Sequence, residues 1–383
     1  MKIISIVDSF KGSLSSIEIN NCVENGVKKI FSNAKIIKIP IADGGEGTVE
    51  AFINIKNGKI IKKEVHDPLM RTISSYYGVY DDTAVIEIAL ASGLPLLNEN
   101  EKNPNITTTY GVGELILDAL DKGYRKFIIG LGGSATNDAG MGMLTALGMK
   151  FYDNKGNELI GNGKNLIKIS KIDDNNFDKR LKESKFIIAS DVNNPFYGEN
   201  GAAYIYAKQK GADNKMIIEL DKGLMNFKDI VYNYNKIDIQ NIKGAGAAGG
   251  LGGSFAGFFN SEIKSGIDII LELVDFDKLS KEADIIITGE GKIDHQSVMG
   301  KVISGIGKYG IKYNKPVIAI AGGLSEKFEE VNKYGVTSAF SIMNYPMSLE
   351  EAMEKERAKY LIEFCYTKGT KKTTRTTKFY RFF

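Results

Sequence analysis

Five short apolar runs stand out along the chain: IISIV near Ile3, IIKIPI near Ile36, DIIIT near Asp284, PVIAIAG near Pro316 and SAFSI near Ser338. They are continuous rather than alternating, and each ends in polar or glycine-rich sequence, the texture of strands buried on both faces of a parallel sheet. Behind the first run, Ser15 and Glu18 have capping-box spacing ahead of Ile19, Val23 and Val27, so the pattern predicts a βα unit. Between roughly Lys62 and Asp268 the texture changes. EVHDPLMRTISSYYGVYDDTAVIEIAL reads as alternating strands around a turn at Asp81 and Asp82, followed by longer βα stretches at KFIIGLGG and KFIIASDV.

Strand–helix alternation of the first kind resumes only near residue 270. The sequence therefore predicts an α/β protein with two α/β domains, the second inserted between the second and third strands of the first. Residues 1–60 and 270–365 form a discontinuous parallel-sheet domain and residues 61–269 the inserted domain. Residues 366–383, rich in Thr, Lys and Arg without an apolar stripe, are expected to be a disordered tail.

Composition sets limits on the chemistry. At 383 residues, 43% hydrophobic and 25% charged, the chain is long enough for two cores. No apolar run reaches about 18 residues, and an acid interrupts the N-terminal MKIISIVDSF where a signal peptide would stay apolar, so no membrane association and a cytoplasmic location are expected. His66 and His295 are the only histidines, too few for a multi-His zinc site. Cys22 and Cys365 lie at opposite ends without metal-type spacing and read as packing residues. The net charge of +3 is misleading, because the segment from Lys368 to Phe383 carries six basic residues and no acid, leaving the remainder acidic. A nucleic-acid role for that basic, aromatic-ended tail would leave the loops described next without a purpose, so no nucleic-acid partner is expected.

Chemistry-bearing residues collect in loops after the strands, where an open α/β sheet binds ligands. Asp8-Ser9-Phe10-Lys11-Gly12-Ser13 places an acid, a lysine and hydroxyls before a helix N-terminus; a capped turn accounts for Ser15 but not for Lys11. Ala42-Asp43-Gly44-Gly45-Glu46-Gly47-Thr48 interleaves glycines with acids suited to Mg²⁺. GLGGSATNDAGMG, from Gly130 to Gly142, reads as a phosphate cradle offering adjacent amides, Ser134, Asn137 and Asp138, although it matches neither a Walker A loop nor a dinucleotide fingerprint. Asp191, in SDVNNP with Asn194, suits a general base, a metal ligand or an Asx turn. GAGAAGGLGG, from Gly244 to Gly253, is either a close-packing surface or a backbone cradle. Arg71 of HDPLMR is either a carboxylate clamp or a turn residue. TGEGKIDHQS, from Thr288, returns acids and a lysine, so the loops at Asp8, Asp43 and Asp294 are expected to converge.

In this order, DSFKGSLS, ADGGEGT, HDPLMR, TTTYGVGELI, GLGGSATNDAGMGML, SDVNNPFYG, GAGAAGGLGG and TGEGKIDHQS resemble the successive signatures of the type-1 glycerate kinase family over about residues 1 to 365. The resemblance implies transfer of the ATP γ-phosphate to glycerate, with a flavodoxin-like parallel-sheet domain and a second α/β domain. Carried over residue by residue, it falls on Lys11, Asp43, Gly44, Gly45, Arg71, Ser134, Asn137, Asp138, Asp191, Glu290 and Asp294. Phosphoryl transfer needs cations on the moving phosphate, a metal ion and a proton acceptor. Those needs give Lys11, Gly132, Gly133 and Ser134 on the ATP phosphates, with Gly44, Gly45, Asn137 and Asp138 completing the nucleotide site. Asp43, Glu290 and Asp294 are assigned to Mg²⁺, Asp191 to the base, and Arg71, Ser13 and Asn194 to glycerate; Lys11 and Asp294 share in catalysis. A non-catalytic sugar-acid or nucleotide sensor is the alternative, for which Lys11, Asp43 and Asp294 have no use. After about Leu361 the sequence leaves the family pattern, ending in YTKGTKKTTRTTKFYRFF as a shifted reading frame would. Whether the chain is a monomer or a homodimer, and which hydroxyl of glycerate reacts, are left open.

Overall fold

The computed structural model describes residues 1–294 and 302–365. The tail and His295, Gln296 and Ser297 of the last motif lie outside the described residues. In chain order the strands are β1 (Lys2–Val7), β2 (Lys35–Lys38), β3 (Lys59–His66), β4 (Thr72–Tyr80), β5 (Thr83–Glu87), β6 (Lys126–Gly130), β7 (Lys150–Tyr152), β8 (Lys171–Asp173), β9 (Lys185–Ala189), β10 (Ser261–Lys264), β11 (Ile285–Ile293), β12 (Val317–Leu324) and β13 (Ser338–Ser341). They fall in two compact units: Met1–Ala42 with the described residues from Ile270 onward, and Asp43–Ile269.

All five apolar runs become strands of the first unit's sheet, in spatial order β13-β12-β11-β1-β2. Every pairing is parallel. Counted within the unit, this is the 2-1-3-4-5 order of flavodoxin-like sheets, whose direction of winding switches between β1 and β11. Ile3, Val7, Ile287 and Ile320 are buried in its core with Ile19, Val23 and Val27. The last three lie on the apolar face of the helix Ser16–Lys28. That helix begins as the sequence predicts: Glu18 N donates to Ser15 Oγ at 3.3 Å and Ser15 N donates to Glu18 Oε2 at 3.0 Å, a reciprocal capping box.

The second unit carries a six-stranded sheet in the order β10-β9-β6-β5-β4-β3. β3, β4 and β5 form an antiparallel meander, turning at Asp81 and Asp82 as expected, and β5, β6, β9 and β10 run parallel. Phe127 of β6 stacks on Phe186 of β9, ring centroids 4.7 Å apart, in a core shared with Tyr77, Phe227 and Phe255. The unit starts earlier than the expected boundary at residue 61, because residues 43–60 pack onto its sheet. The helix Thr48–Lys56 presses Val49 and Ile53 onto Gly78 of β4 so closely that a Cβ there would lie 2.6 Å from Ile53 Cγ1 and 3.0 Å from Val49 Cγ1. Among the described residues no helix is long and apolar enough to cross a membrane.

Ser15→Ala removes the cap that starts the helix Ser16–Lys28. It is expected to destabilise the protein by about 1 kcal/mol, seen as a lower denaturant midpoint at unchanged slope. An unchanged midpoint would mean that the cap adds nothing.

Candidate active site

In the first unit β1 ends at Val7, beside Gly289 of β11, and β11 runs on past it to Ile293 at the switch point. Asp8 N donates to Gly289 O at 2.9 Å. Gly291 lies against the Asp8–Ser13 loop, where a Cβ would be 3.5 Å from Phe10 Cα and 3.8 Å from Lys11 N. Lys11 is exposed, Glu290 and Asp294 are half-buried, and Ser13 Oγ is buried without a hydrogen-bond partner. Lys11 and Ser13 in the loop after β1, Glu290 within the last residues of β11 and Asp294 just past its end thus lie along the carboxyl-end side of two adjacent parallel strands, where such sheets bind ligands.

In the second unit the glycine loops meet backbone to backbone. Gly44, at φ +87°, would drive a Cβ to within 2.3 Å of Ala189 O at the end of β9. A Cβ on Gly130 would lie 2.6 Å from Gly44 O, and one on Gly132 2.4 Å from Gly45 Cα. Gly132 N donates to Gly44 O at 2.8 Å, so the loop after β6 is locked to the loop carrying Asp43. That amide is consumed in holding the loops together, which removes it from the expected phosphate contacts. Asp43 Oδ1 accepts from Gly45 N at 3.0 Å, and Gly133 O accepts from Leu94 N at 2.9 Å. Asp43 therefore sits in the second unit's cluster of strand-end loops, while in the first unit Asp8 lies beside Gly289 and Asp294 follows the end of β11.

Behind the loop after β6 lies a buried polar cluster. Asp138 is fully buried and accepts from Thr109 N (2.9 Å), Thr109 Oγ1 (2.8 Å), Gly140 N (3.1 Å) and Gly142 N (3.1 Å). Burial raises its carboxyl above the ordinary range, against those four donors. With its oxygens so occupied, Asp138 shapes the loop rather than facing a nucleotide. Asn137 is fully buried with both ends of its amide unpartnered, as is Thr136 Oγ1. Lys210 Nζ donates to Ser134 Oγ and to Thr136 O, both at 2.7 Å. Gly249, at φ +67°, packs onto the same loop, where a Cβ would meet Thr136 O at 2.1 Å. Gly253 packs on Phe196, a Cβ there lying 2.5 Å from the ring, so close packing accounts for much of GAGAAGGLGG.

Arg71 enters the cluster already engaged. Its Nε donates to Asp67 Oδ2 at 2.5 Å, Nη1 to Glu101 Oε1 at 2.7 Å and Nη2 to Leu96 O at 3.1 Å. The two carboxylates offset its charge and hold the fork in place, leaving one N–H on each terminal nitrogen. Asp191, just past β9 and exposed, accepts from Gly266 N at 3.0 Å, at the start of the helix Gly266–Leu273. The Asn194 amide clasps its own loop: Nδ2 donates to Asn200 O at 2.8 Å and Oδ1 accepts from Tyr206 Oη at 2.5 Å. Among the described residues no three His, Cys, Asp or Glu side chains gather as a ready-made metal cage. Single carboxylates such as Asp43 suit an ion that keeps water and phosphate ligands of its own.

Sequence reasoning missed Lys210 and Glu87. Lys210 lies in KQKGAD, a basic run indistinguishable from a solvated helix end. Glu87 did leave a signal, as an acid inside the otherwise apolar TAVIEIAL. It is 3% exposed, and its Oε2 accepts from Thr48 N at 3.1 Å, capping the helix Thr48–Lys56, whose N-cap residue Gly47 makes no side-chain cap bond. Burial pushes its carboxyl up to about 8, with the charges of Glu50 and Glu46 adding to the rise and the amides of Val49 and Thr48 opposing it. A carboxyl raised on folding contributes stability that is complete below its ordinary value of 4.5 and is lost as pH rises through about 8. Glu87→Gln stays neutral throughout. Its stability relative to the parent chain is therefore expected to grow from about pH 5 to about pH 8.5, read by thermal melts; a constant difference would mean that Glu87 titrates normally.

The profile described as the Glycerate kinase family matches residues 3–368. The "Glycerate kinase" of Bacillus subtilis (strain 168) is 45% identical over 356 residues, covering 92% of this chain and 93% of that protein. The "Glycerate 2-kinase" of Escherichia coli (strain K12) is 42% identical over 354 residues, with coverage of 92% and 93%. A crystal structure from Salmonella typhimurium LT2, of a protein assigned as glycerate kinase 2, superposes with a TM-score of 0.85 at 38% identity, covering 96% of each chain. Matches that run through the strand-end loops of both units, from Asp8 to Asp294, establish that this chain belongs to the glycerate kinase family.

Proposed function

We propose that the chain transfers the γ-phosphate of ATP to a hydroxyl of glycerate. The observation that carries this reading is the family match through both sets of strand-end loops. In phosphoryl transfer the protein's work is positioning and electrostatic stabilisation, supplied by cations, oriented donors and a group that accepts the alcohol proton. Lys11, exposed at the switch point, is suited to the phosphate oxygens, with Ser13 beside it for glycerate. Ser134, the unpartnered amide of Asn137 and the amides after Gly132 serve the nucleotide, while Gly44, Gly45 and Asp138 keep that loop in shape.

Asp43 in the second unit, and Glu290 and Asp294 in the first, are the carboxylates we assign to Mg²⁺, which would neutralise charge on the phosphates when bound. Asp191, exposed and fixed at one oxygen by Gly266 N, is the group we assign to the hydroxyl proton. Arg71 keeps two N–H groups for the glycerate carboxylate, and its anchorage by Asp67 and Glu101 lowers the cost of ordering it.

Purified protein is expected to consume ATP only when glycerate and Mg²⁺ are both present, with ³¹P NMR of the product distinguishing 2-phosphoglycerate from 3-phosphoglycerate. Equal turnover with glycerol would overturn carboxylate recognition. Asp43→Asn and Asp294→Asn should each lower kcat by roughly two orders of magnitude, the usual scale for losing a preorganised electrostatic contact. Unchanged turnover in both would remove these residues from the reaction.

A further inference from the structure

Lys210 has no part in the roles given above, yet it is the residue whose placement is hardest to explain by packing. It is 2% exposed. The chain holds it there: at Gly211, φ +94°, a Cβ would lie 2.1 Å from Lys102 O, so the backbone is clamped just beyond the lysine. Its ammonium reaches two neutral oxygens, Ser134 Oγ and Thr136 O, and forms no ion pair among the described residues. A buried ammonium without a paired carboxylate costs several kcal/mol, and a neutral chain of the same length would fill the space at lower cost. Burial accordingly lowers Lys210 to about 7, with the charge of Asp138 opposing the shift.

What the charge does is visible at Ser134. A hydroxyl that accepts from an ammonium must turn its own proton elsewhere, and no acceptor for that proton lies among the described residues. The next residues carry the same surplus: Thr136 Oγ1 and both ends of the Asn137 amide are buried without partners. Buried polar groups left unmade cost about 1–3 kcal/mol each, and such a cluster is completed by a group from outside the chain.

We propose that Lys210 is a positioning residue of the glycerate kinase reaction: by donating to Ser134 Oγ it fixes that hydroxyl as a donor to an anionic oxygen of a substrate, and it charges the loop positively from its buried side. The inference rests on the reading that the loop from Gly130 to Gly142 meets an anionic group. That group is either a phosphate of ATP or the carboxylate of glycerate, and the two are separable by their KM values. When Lys210 loses its proton, its nitrogen becomes an acceptor and the Ser134 proton turns inward. Affinity for the anion therefore falls as pH rises through the range in which Lys210 titrates. Asp138, held by Thr109, Gly140 and Gly142, is the titratable group that acts on it.

The test compares Ser134→Ala, Lys210→Met, Lys210→Arg and the double variant Ser134→Ala/Lys210→Met in the whole protein, measuring KM for ATP and for glycerate separately from about pH 6 to pH 8.5. Ser134→Ala and Lys210→Met should each raise the same KM about tenfold, the scale of one charge-assisted hydrogen bond, with kcat changing less. The double variant should be no worse than either single one, because the lysine acts through the serine. Lys210→Arg should recover part of the loss. The parent chain should show a KM that rises with pH, and Ser134→Ala should not. If Ser134→Ala raises a KM and Lys210→Met raises neither, the inference about Lys210 fails and the loop reading stands; if neither variant changes either KM, both fail. Should Lys210→Met not fold, identical pH dependence of KM in the parent chain and Ser134→Ala overturns the proposal.

Discussion

The close approach of three backbones at the strand ends of the second unit is the constraint on which its site depends. The carbonyl of Gly44 accepts from Gly132 N and occupies the space a side chain on Gly130 would need, while Gly44 itself abuts Ala189 O. Without side chains in that contact, the loop carrying Asp43, the loop carrying Ser134 and the end of β9 leading to Asp191 behave as one rigid shelf. Rigidity there matters because phosphoryl transfer is sensitive to small displacements of its positioning groups. The glycines that look like ligand cradles in the sequence are partly the mortar of the scaffold.

The architecture was legible where burial leaves a continuous apolar signature. All five runs of the first unit became parallel strands, and Ser15 with Glu18 formed the cap their spacing predicts. The location of functional loops was legible too, because glycine-acid clusters after strands serve little else. The use of each atom within those loops was not. Sequence spacing places Gly132 near a phosphate but cannot show its amide given to Gly44, nor Arg71 already held by Asp67 and Glu101. The boundary near residue 60 was misplaced for a related reason: the helix Thr48–Lys56 is amphipathic in either unit, and only the groove at Gly78 decides where it docks.

Buried ionisable groups were the least legible of all. Lys210 and Glu87 are each one charged residue in an ordinary local context, and nothing in a period of two or 3.6 separates a buried charge from an exposed one. Both are ionisable groups kept out of water, where burial favours their neutral forms, Glu87 accepting from the first amide of the helix Thr48–Lys56 and Lys210 beneath the Ser134 loop. Asp138 belongs with them, its oxygens occupied by four donors that fix the turn between β6 and the next helix.

The position of β1 has a consequence for how the protein is made. β1 pairs with β2 on one side, in the register Ile3↔Ile36, and with β11 on the other, in the register Ile3↔Ile285. On a ribosome moving at about 5–20 residues per second, the first partner emerges within seconds, whereas the second needs roughly a quarter of a minute to a minute. Throughout that interval β1 presents an open, apolar edge to the cell, while the second unit, continuous in the chain from Asp43 to Ile269, can already close its own core. The nascent N-terminus is therefore the stretch most in need of a chaperone, and the speed of translation across the second unit sets how long it must wait.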